Sequence, residues 1–250
     1  MAKQDKSPKI HQRDKFKGEL KLRPLNWTEN QQKIVDTILD KQSKIVFING
    51  PAGSGKSSLA TYCGLKLLSD KTLSDYLYIR NVLEVSDSAA MGYIKGDIDA
   101  KFDPYCQIFK EKSEELMSNA DLDKLMHDNR VHFVPINYVR GSNWAVKFIH
   151  VEEAANFTQG EYKLLLTRYA SFSKLIFCGD TQQTDLPEKK RGAFARMLEL
   201  FNNDESREKG IYTFNLDKCD IKRSDITSFL IDKLNEPDIN HKDYRPSQPK

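Results

Sequence analysis

Residues 50–57 read Gly50-Pro51-Ala52-Gly53-Ser54-Gly55-Lys56-Ser57, glycines that let the backbone curl, then a lysine and a hydroxyl. That order suits one chemistry. Amide N–H groups wrap a triphosphate at a helix start, Lys56 reaches the β- and γ-phosphates, and Ser57 ligates Mg²⁺, with Ser58 completing the phosphate-facing set. An ordinary glycine turn is the plain alternative. Such a site needs a second strand end that offers carboxylates, and Phe148-Ile149-His150-Val151-Glu152-Glu153 is an apolar run ending in two acids. Glu152 suits the metal, directly or through water, and Glu153 suits the orientation or deprotonation of an attacking water. A third run ends in Cys178-Gly179-Asp180-Thr181-Gln182-Gln183, where Gln183 can position water beside the γ-phosphate. A polar loop with Asp180 capping backbone amides is the competing reading there.

The elements around these residues follow from periodicity. Thr28-Glu29-Asn30-Gln31 has the form of a capping box, and Ile34, Val35, Ile38 and Leu39 continue at helical spacing, which predicts a helix over about 29–41. Lys44 to Ile48 is a β-branched strand leading into the glycine loop, and Leu59, Cys63 and Leu67 resume a helix. Further strands are expected at Tyr76–Ile79, Val131–Val134, Val146–Val151, Lys174–Cys178 and near Ile211–Leu216. A second capping box, Thr158 to Glu161, opens a helix with Tyr162, Leu165, Leu166 and Tyr169 inward. Alternating strands and helices imply an α/β fold with a mostly parallel sheet and ligands at the strands' carboxyl ends. The stretch from about Glu84 to Arg130 breaks the rhythm and reads as an inserted lobe. After Gly192 the reading is a helix through Leu200, a polar loop over 202–209, the last strand and a helix from about Asp225 to Leu234.

Composition bounds the rest. The chain has 250 residues, 39 Lys and Arg against 36 Asp and Glu, 39% hydrophobic and 30% charged residues. These values suit a globular α/β protein and exclude collagen-like and disulfide-scaffold classes. Apolar runs such as Ile45–Ile48 are too short to span a bilayer, and no signal-type apolar region follows the charged start, so a cytoplasmic protein is expected. Four cysteines stand far apart, which argues for reduced thiols. Residues 1–24 hold eight basic side chains against three acids, a basic arm that could touch phosphates or stay a solvated tail. Residues 237–250, with three prolines, read as a flexible tail, leaving a domain over 25–236.

The assembled residues resemble the PhoH-like ATPases, single RecA-like P-loop NTPase domains related to superfamily-one helicases. Beyond the motifs above, the resemblance rests on Met91-Gly92-Tyr93-Ile94-Lys95-Gly96-Asp97, Lys101-Phe102-Asp103-Pro104-Tyr105, Tyr138-Val139-Arg140-Gly141, Leu166-Thr167-Arg168, Thr184-Asp185-Leu186-Pro187 and Asp220-Ile221-Lys222-Arg223. It implies an ATP- and Mg²⁺-dependent hydrolase acting on single-stranded RNA or DNA as a homo-oligomeric ring. By that likeness Gln31 faces adenine, Gln183 the γ-phosphate, and Arg223 a neighbouring subunit's nucleotide as a finger in trans. Arg80, Arg140 and Arg168 with Tyr93, Tyr105 and Tyr138 offer charges and stacking faces for a strand, although each tyrosine equally suits a core position. Three departures stand out. The family's Asp-Glu-Ala-Gln is here Glu152-Glu153-Ala154-Ala155, its Arg-Pro is Arg80-Asn81, and its Arg-His is Arg223-Ser224. The first points to a nucleotide-gated nucleic-acid-binding protein with weak hydrolysis as an alternative. The compact form with a polar arm suggests a bacteriophage source.

Overall fold

A computed structural model describes residues 16, 18–81, 98–136, 139, 144–221 and 233. Six strands, β1 (Ile45–Asn49), β2 (Asp75–Arg80), β3 (Val131–Pro135), β4 (Lys147–Glu152), β5 (Lys174–Gly179) and β6 (Ile211–Asn215), form one sheet in the order β3-β2-β4-β5-β1-β6. Every pairing is parallel. Helix α1 (Glu29–Leu39) precedes the sheet; parallel neighbours need crossovers, and these are supplied by helices α2 (Lys56–Ser69), α3 (Ile98–Leu116), α4 (Asn119–His127), α5 (Gln159–Leu166), α6 (Ala193–Phe201) and α7 (Asp204–Glu208). Because β5 lies between β1 and β4, the three strands that end in chemistry-bearing residues are adjacent. Register keeps their ends level: Asn49 pairs with Gly179, and Arg80 with Glu152.

Strand alternation divides the core in two. From β1, Val46 and Ile48 join a cluster under α1 to α4, while Ile45 and Phe47 join a cluster with Tyr162, Leu165, Phe194 and Met197 of α5 and α6. Tyr162 and Leu165 are buried as the periodicity predicts, with Leu166 and Tyr169 packed at the cluster's margin.

Three expectations change. The described part of the stretch read as an inserted lobe is the crossover between β2 and β3, because Phe109, Leu116, Leu122 and Leu125 share the main core. Residues 202–209, read as a polar loop, contain α7, started by Asn203, whose side chain accepts from Ser206 N. The basic arm does not run free to residue 24. Phe16 and Leu20 are buried, Leu20 N donates to Ser69 Oγ (3.0 Å), and Arg23 N donates to Leu116 O (2.7 Å), so apolar residues among the charges pin its end to the body. The helix expected over 225–234 and the tail over 237–250 fall, but for Lys233, outside the described residues. Among the described residues no helix is long and apolar enough to cross a membrane.

The position of α2 matters most, since its first turn is the phosphate loop's end. Gly64 lets it close on the sheet: a Cβ there would lie 2.6 Å from Phe148 Cδ1 and nearer still to the Tyr76 ring. Alanine in place of glycine raises helix propensity by about 1 kcal/mol. Both opposing rings are fully buried and cannot yield, so overpacking wins. Gly64→Ala is expected to destabilise by about 1–3 kcal/mol, read as a lower midpoint in urea unfolding; equal or higher stability would show that α2 stands off the sheet.

Candidate active site

The phosphate loop folds as its glycines require. Gly53 (φ 83°) and Gly55 (φ 87°) take left-handed conformations, and Gly55 caps α2 without a side chain, leaving the first-turn amides facing outward. Ser54 is fully buried and donates through Oγ to Pro51 O (2.8 Å), closing the loop on itself. Gly50 N donates to Gly179 O (3.2 Å), and Asn49 joins the neighbours, its Oδ1 accepting from Thr181 N (3.0 Å) and its Nδ2 donating to Asn215 Oδ1 (2.9 Å). Lys56 Nζ donates to the carbonyls of Gly50 (2.6 Å) and Pro51 (2.9 Å), folded over the loop.

The acidic strand end meets this loop directly. Ser57 Oγ donates to Glu152 Oε1 at 2.8 Å, so the hydroxyl and the carboxylate expected to share Mg²⁺ are in contact. Two hard oxygen donors beside a run of open amides fit a small divalent cation held with a triphosphate. Burial alone would raise the Glu152 carboxyl; the His150 ring, the Ser57 hydroxyl and the Lys56 charge outweigh it and hold it below its ordinary range. Glu153 differs. It sits in the left-handed region (φ 55°) at the start of a 3-10 turn over Ala154–Asn156, and its Oε1 lies 3.3 Å from Arg80 Nη2. Burial and the neighbouring Glu152 push its carboxyl up, against the opposing pull of Arg80 and Lys56.

Sequence reasoning missed what stands behind Glu152. His150 is fully buried, with Nε2 2.8 Å from Glu152 Oε2 and Nδ1 2.7 Å from the Tyr76 hydroxyl. The ring thus stands against the carboxylate from one side, in close contact but off the hydrogen-bond direction, and Ser57 holds it from the other. The signal was visible as a lone polar residue in the apolar run Phe148–Val151, two positions before Glu152 and therefore on the same strand face. Cys178 completes a buried cluster of ligand-type atoms within 4.8 Å of one another. Its thiol donates to Lys56 O (3.6 Å), and burial pushes it well above its ordinary range, so it stays protonated and packs.

Gln31 lies beside the phosphate loop, bonded to Ser54. It lines a cleft of about 560 Å³ beside Lys56, Ser57 and Ser58, but both Nε2 hydrogens are spent, on Ser54 O (2.9 Å) and Asp220 O (2.9 Å). Its Oε1 accepts from Thr28 N (2.9 Å) in the capping box. The side chain thus ties helix start, phosphate loop and residue 220 together. Leu25 and Trp27 line the same cleft and give it an apolar wall that the sequence reading did not pick out. Gln183 is exposed just past β5. Arg80 faces Glu153, and Arg168 is half-buried with its Nε fully so. Arg223, Tyr93, Tyr138 and Arg140 lie outside the described residues, as does the side chain of Tyr105.

Comparison with known proteins places this geometry in a family. The chain is 28% identical to the PhoH-like protein of Bacillus subtilis over 77% of its own length and 58% of the relative's. It is 29% identical to the PhoH-like protein of Mycobacterium leprae over 84% of its length and 58% of the relative's. The chain therefore spans under two thirds of these relatives. Both are bacterial, and the expected bacteriophage source finds no support in them. Among solved structures, the large terminase of a thermophilic bacteriophage superimposes with a TM-score of 0.50 and 11% identity, over 85% of this chain and 51% of that one, a likeness of fold alone. The sheet and loop have the arrangement of a RecA-like P-loop domain. The model of the family described as PhoH-like protein matches residues 24–235, and the chain belongs to that family.

Proposed function

We propose that this chain is an Mg²⁺-dependent ATPase that couples its nucleotide state to the handling of single-stranded RNA or DNA. The observation that carries this reading is the 2.8 Å contact between Ser57 and Glu152, which joins the phosphate loop to the acidic strand end. ATP would lie along the cleft, its base against Leu25 and Trp27 and its phosphates on the amides of Gly53 to Ser58. Lys56 would exchange the Gly50 and Pro51 carbonyls for phosphate oxygens. Ser57 and Glu152 would hold Mg²⁺, which neutralises charge developing on the phosphates when bound. Glu153 would orient and deprotonate the attacking water, with Gln183 beside it. Burial and Glu152 raise the Glu153 carboxyl, which makes it the better base when ionised, and Arg80 favours the ionised form and aims it. Arg223 from a neighbouring copy would complete the site in a ring, and the protein would work in the cytoplasm.

A second reading is favoured by two observations. Glu153 is held by Arg80, and Ala155 has no side chain to reach a γ-phosphate, which together suit a protein that binds ATP to gate nucleic-acid binding and turns it over slowly. Phosphate release separates the two. Under the first reading Lys56→Ala lowers turnover by at least about 100-fold and Glu153→Gln by about 10²–10⁴, the latter with ATP affinity kept within a few-fold. Tight ATP binding by the native protein with no turnover at any protein concentration would select the second, and no ATP binding would end both.

The buried ring makes its own expectation. His150→Leu removes the hold on Glu152 and is expected to raise the Mg²⁺ concentration for half-maximal turnover by about 10–100-fold, with His150→Gln closer to the native protein. An unchanged Mg²⁺ dependence in the leucine variant would show that Ser57 alone positions the carboxylate.

A further inference from the structure

On the other face of the sheet from α2, yet at the same rim of strand ends, the starts of α5 and α6 enclose a second hollow of about 480 Å³. Four side chains that line it are cationic: Lys189, Lys190, Arg191 and Arg196. The rest of its lining is uncharged. All four are exposed, and no ion pair joins any of them to an acid among the described residues. The nearest acids in sequence, Glu161, Glu188 and Glu199, stand outside the lining, and Glu161 is turned to the backbone and hydroxyl of Thr158. Four like charges around one concavity repel each other, and an anion relieves that repulsion.

The shape of the cluster says which anion. The charges run from the 3-10 turn Glu188–Lys190 to the second turn of α6, a spread suited to successive phosphates of a flexible chain rather than to one small ion. No aromatic side chain lines the hollow, so recognition would fall on the backbone and not on stacked bases. Arg191 is fixed in place, its Nε donating to Leu186 O at 2.6 Å. The loop that carries these residues is also knitted to the catalytic acids' loop. Asn156 Nδ2 donates to Asp185 Oδ2 (3.1 Å), Asp185 N donates to Asn156 Oδ1 (2.8 Å), and Thr184 Oγ1 donates to Ala155 O (3.2 Å), only a few residues past Glu153. A chain seated here would press on the loop that bears the catalytic carboxylate.

We propose that the hollow between α5 and α6 seats the phosphodiester backbone of single-stranded nucleic acid through Lys189, Lys190, Arg191 and Arg196. The proposal rests on the nucleic-acid part of the function proposed above and gives it a place that the sequence had assigned elsewhere. The test uses labelled oligo-uridine and oligo-thymidine strands of about 20 nucleotides, long enough to exceed one site. Binding is measured across a salt series for the native chain and for the Lys189→Ala/Lys190→Ala/Arg196→Ala variant, which spares the structural Arg191. The expected result is at least a tenfold weaker Kd for whichever strand binds, with the salt slope reduced by about 2, from three lost phosphate contacts. The Lys189→Arg/Lys190→Arg variant keeps the charge and is expected to bind like the native chain. Unchanged affinity and slope in the alanine variant would overturn the groove while leaving strand binding intact. Native protein that binds neither strand would overturn the groove and the nucleic-acid reading together, and phosphate release would still report on the nucleotide reading.

Discussion

The hydrogen bond from Ser57 to Glu152 is the constraint on which the rest turns. A hydroxyl at the first turn of one helix and a carboxylate at the end of a strand two places away in the sheet meet at 2.8 Å. That requires β5 to lie between β1 and β4 with the strand ends level, and it requires α2 to lie close on the sheet. The first is met by the register of Asn49 with Gly179, the second by Gly64 beneath the Tyr76 and Phe148 rings. Tyr76 then serves twice, as packing for α2 and through its hydroxyl as the anchor of the His150 ring behind Glu152.

A second network reaches the same loop from its other side. Gln31 joins the capping box of α1 to the carbonyls of Ser54 and Asp220, and Asp220, almost fully buried, accepts from Thr28 Oγ1 and from Asp217 N (3.1 Å). A change of the loop's conformation therefore bears on residue 220, where the described chain is about to enter the segment of Arg223. The nucleotide loop is thus braced by β5 and β6 through Asn49, by β4 through Ser57, and by the chain's last described segment through Gln31.

Much of this was legible in the residues. The order strand, glycine loop, helix and the two later strand ends follow from periodicity and local chemistry, because a parallel sheet buried on both faces writes itself as continuous apolar runs. Local capping boxes at Thr28 and Thr158 formed as read, since they depend on residues three apart. What the residues did not show depended on contacts between distant segments. Nothing local to Gln31 shows that Ser54 and Asp220 take its two hydrogens. Nothing local to Arg80 shows Glu153, which is 73 positions away. The end of the arm looked solvated because Phe16 and Leu20 are sparse among charges, yet two apolar side chains suffice when the core offers them a place. The basic hollow has no local signal, because the starts of α5 and α6 meet only in the fold.

Calorimetric titration of ATP into the native chain and into Ser57→Ala, each with and without Mg²⁺, tests the central claim most directly, because the claim concerns where the metal and the terminal phosphates meet. Mg²⁺ is expected to strengthen ATP binding to the native chain and to leave the Ser57→Ala affinity nearly unchanged. Absence of any binding heat, or the same Mg²⁺-dependent gain in both proteins, would contradict it.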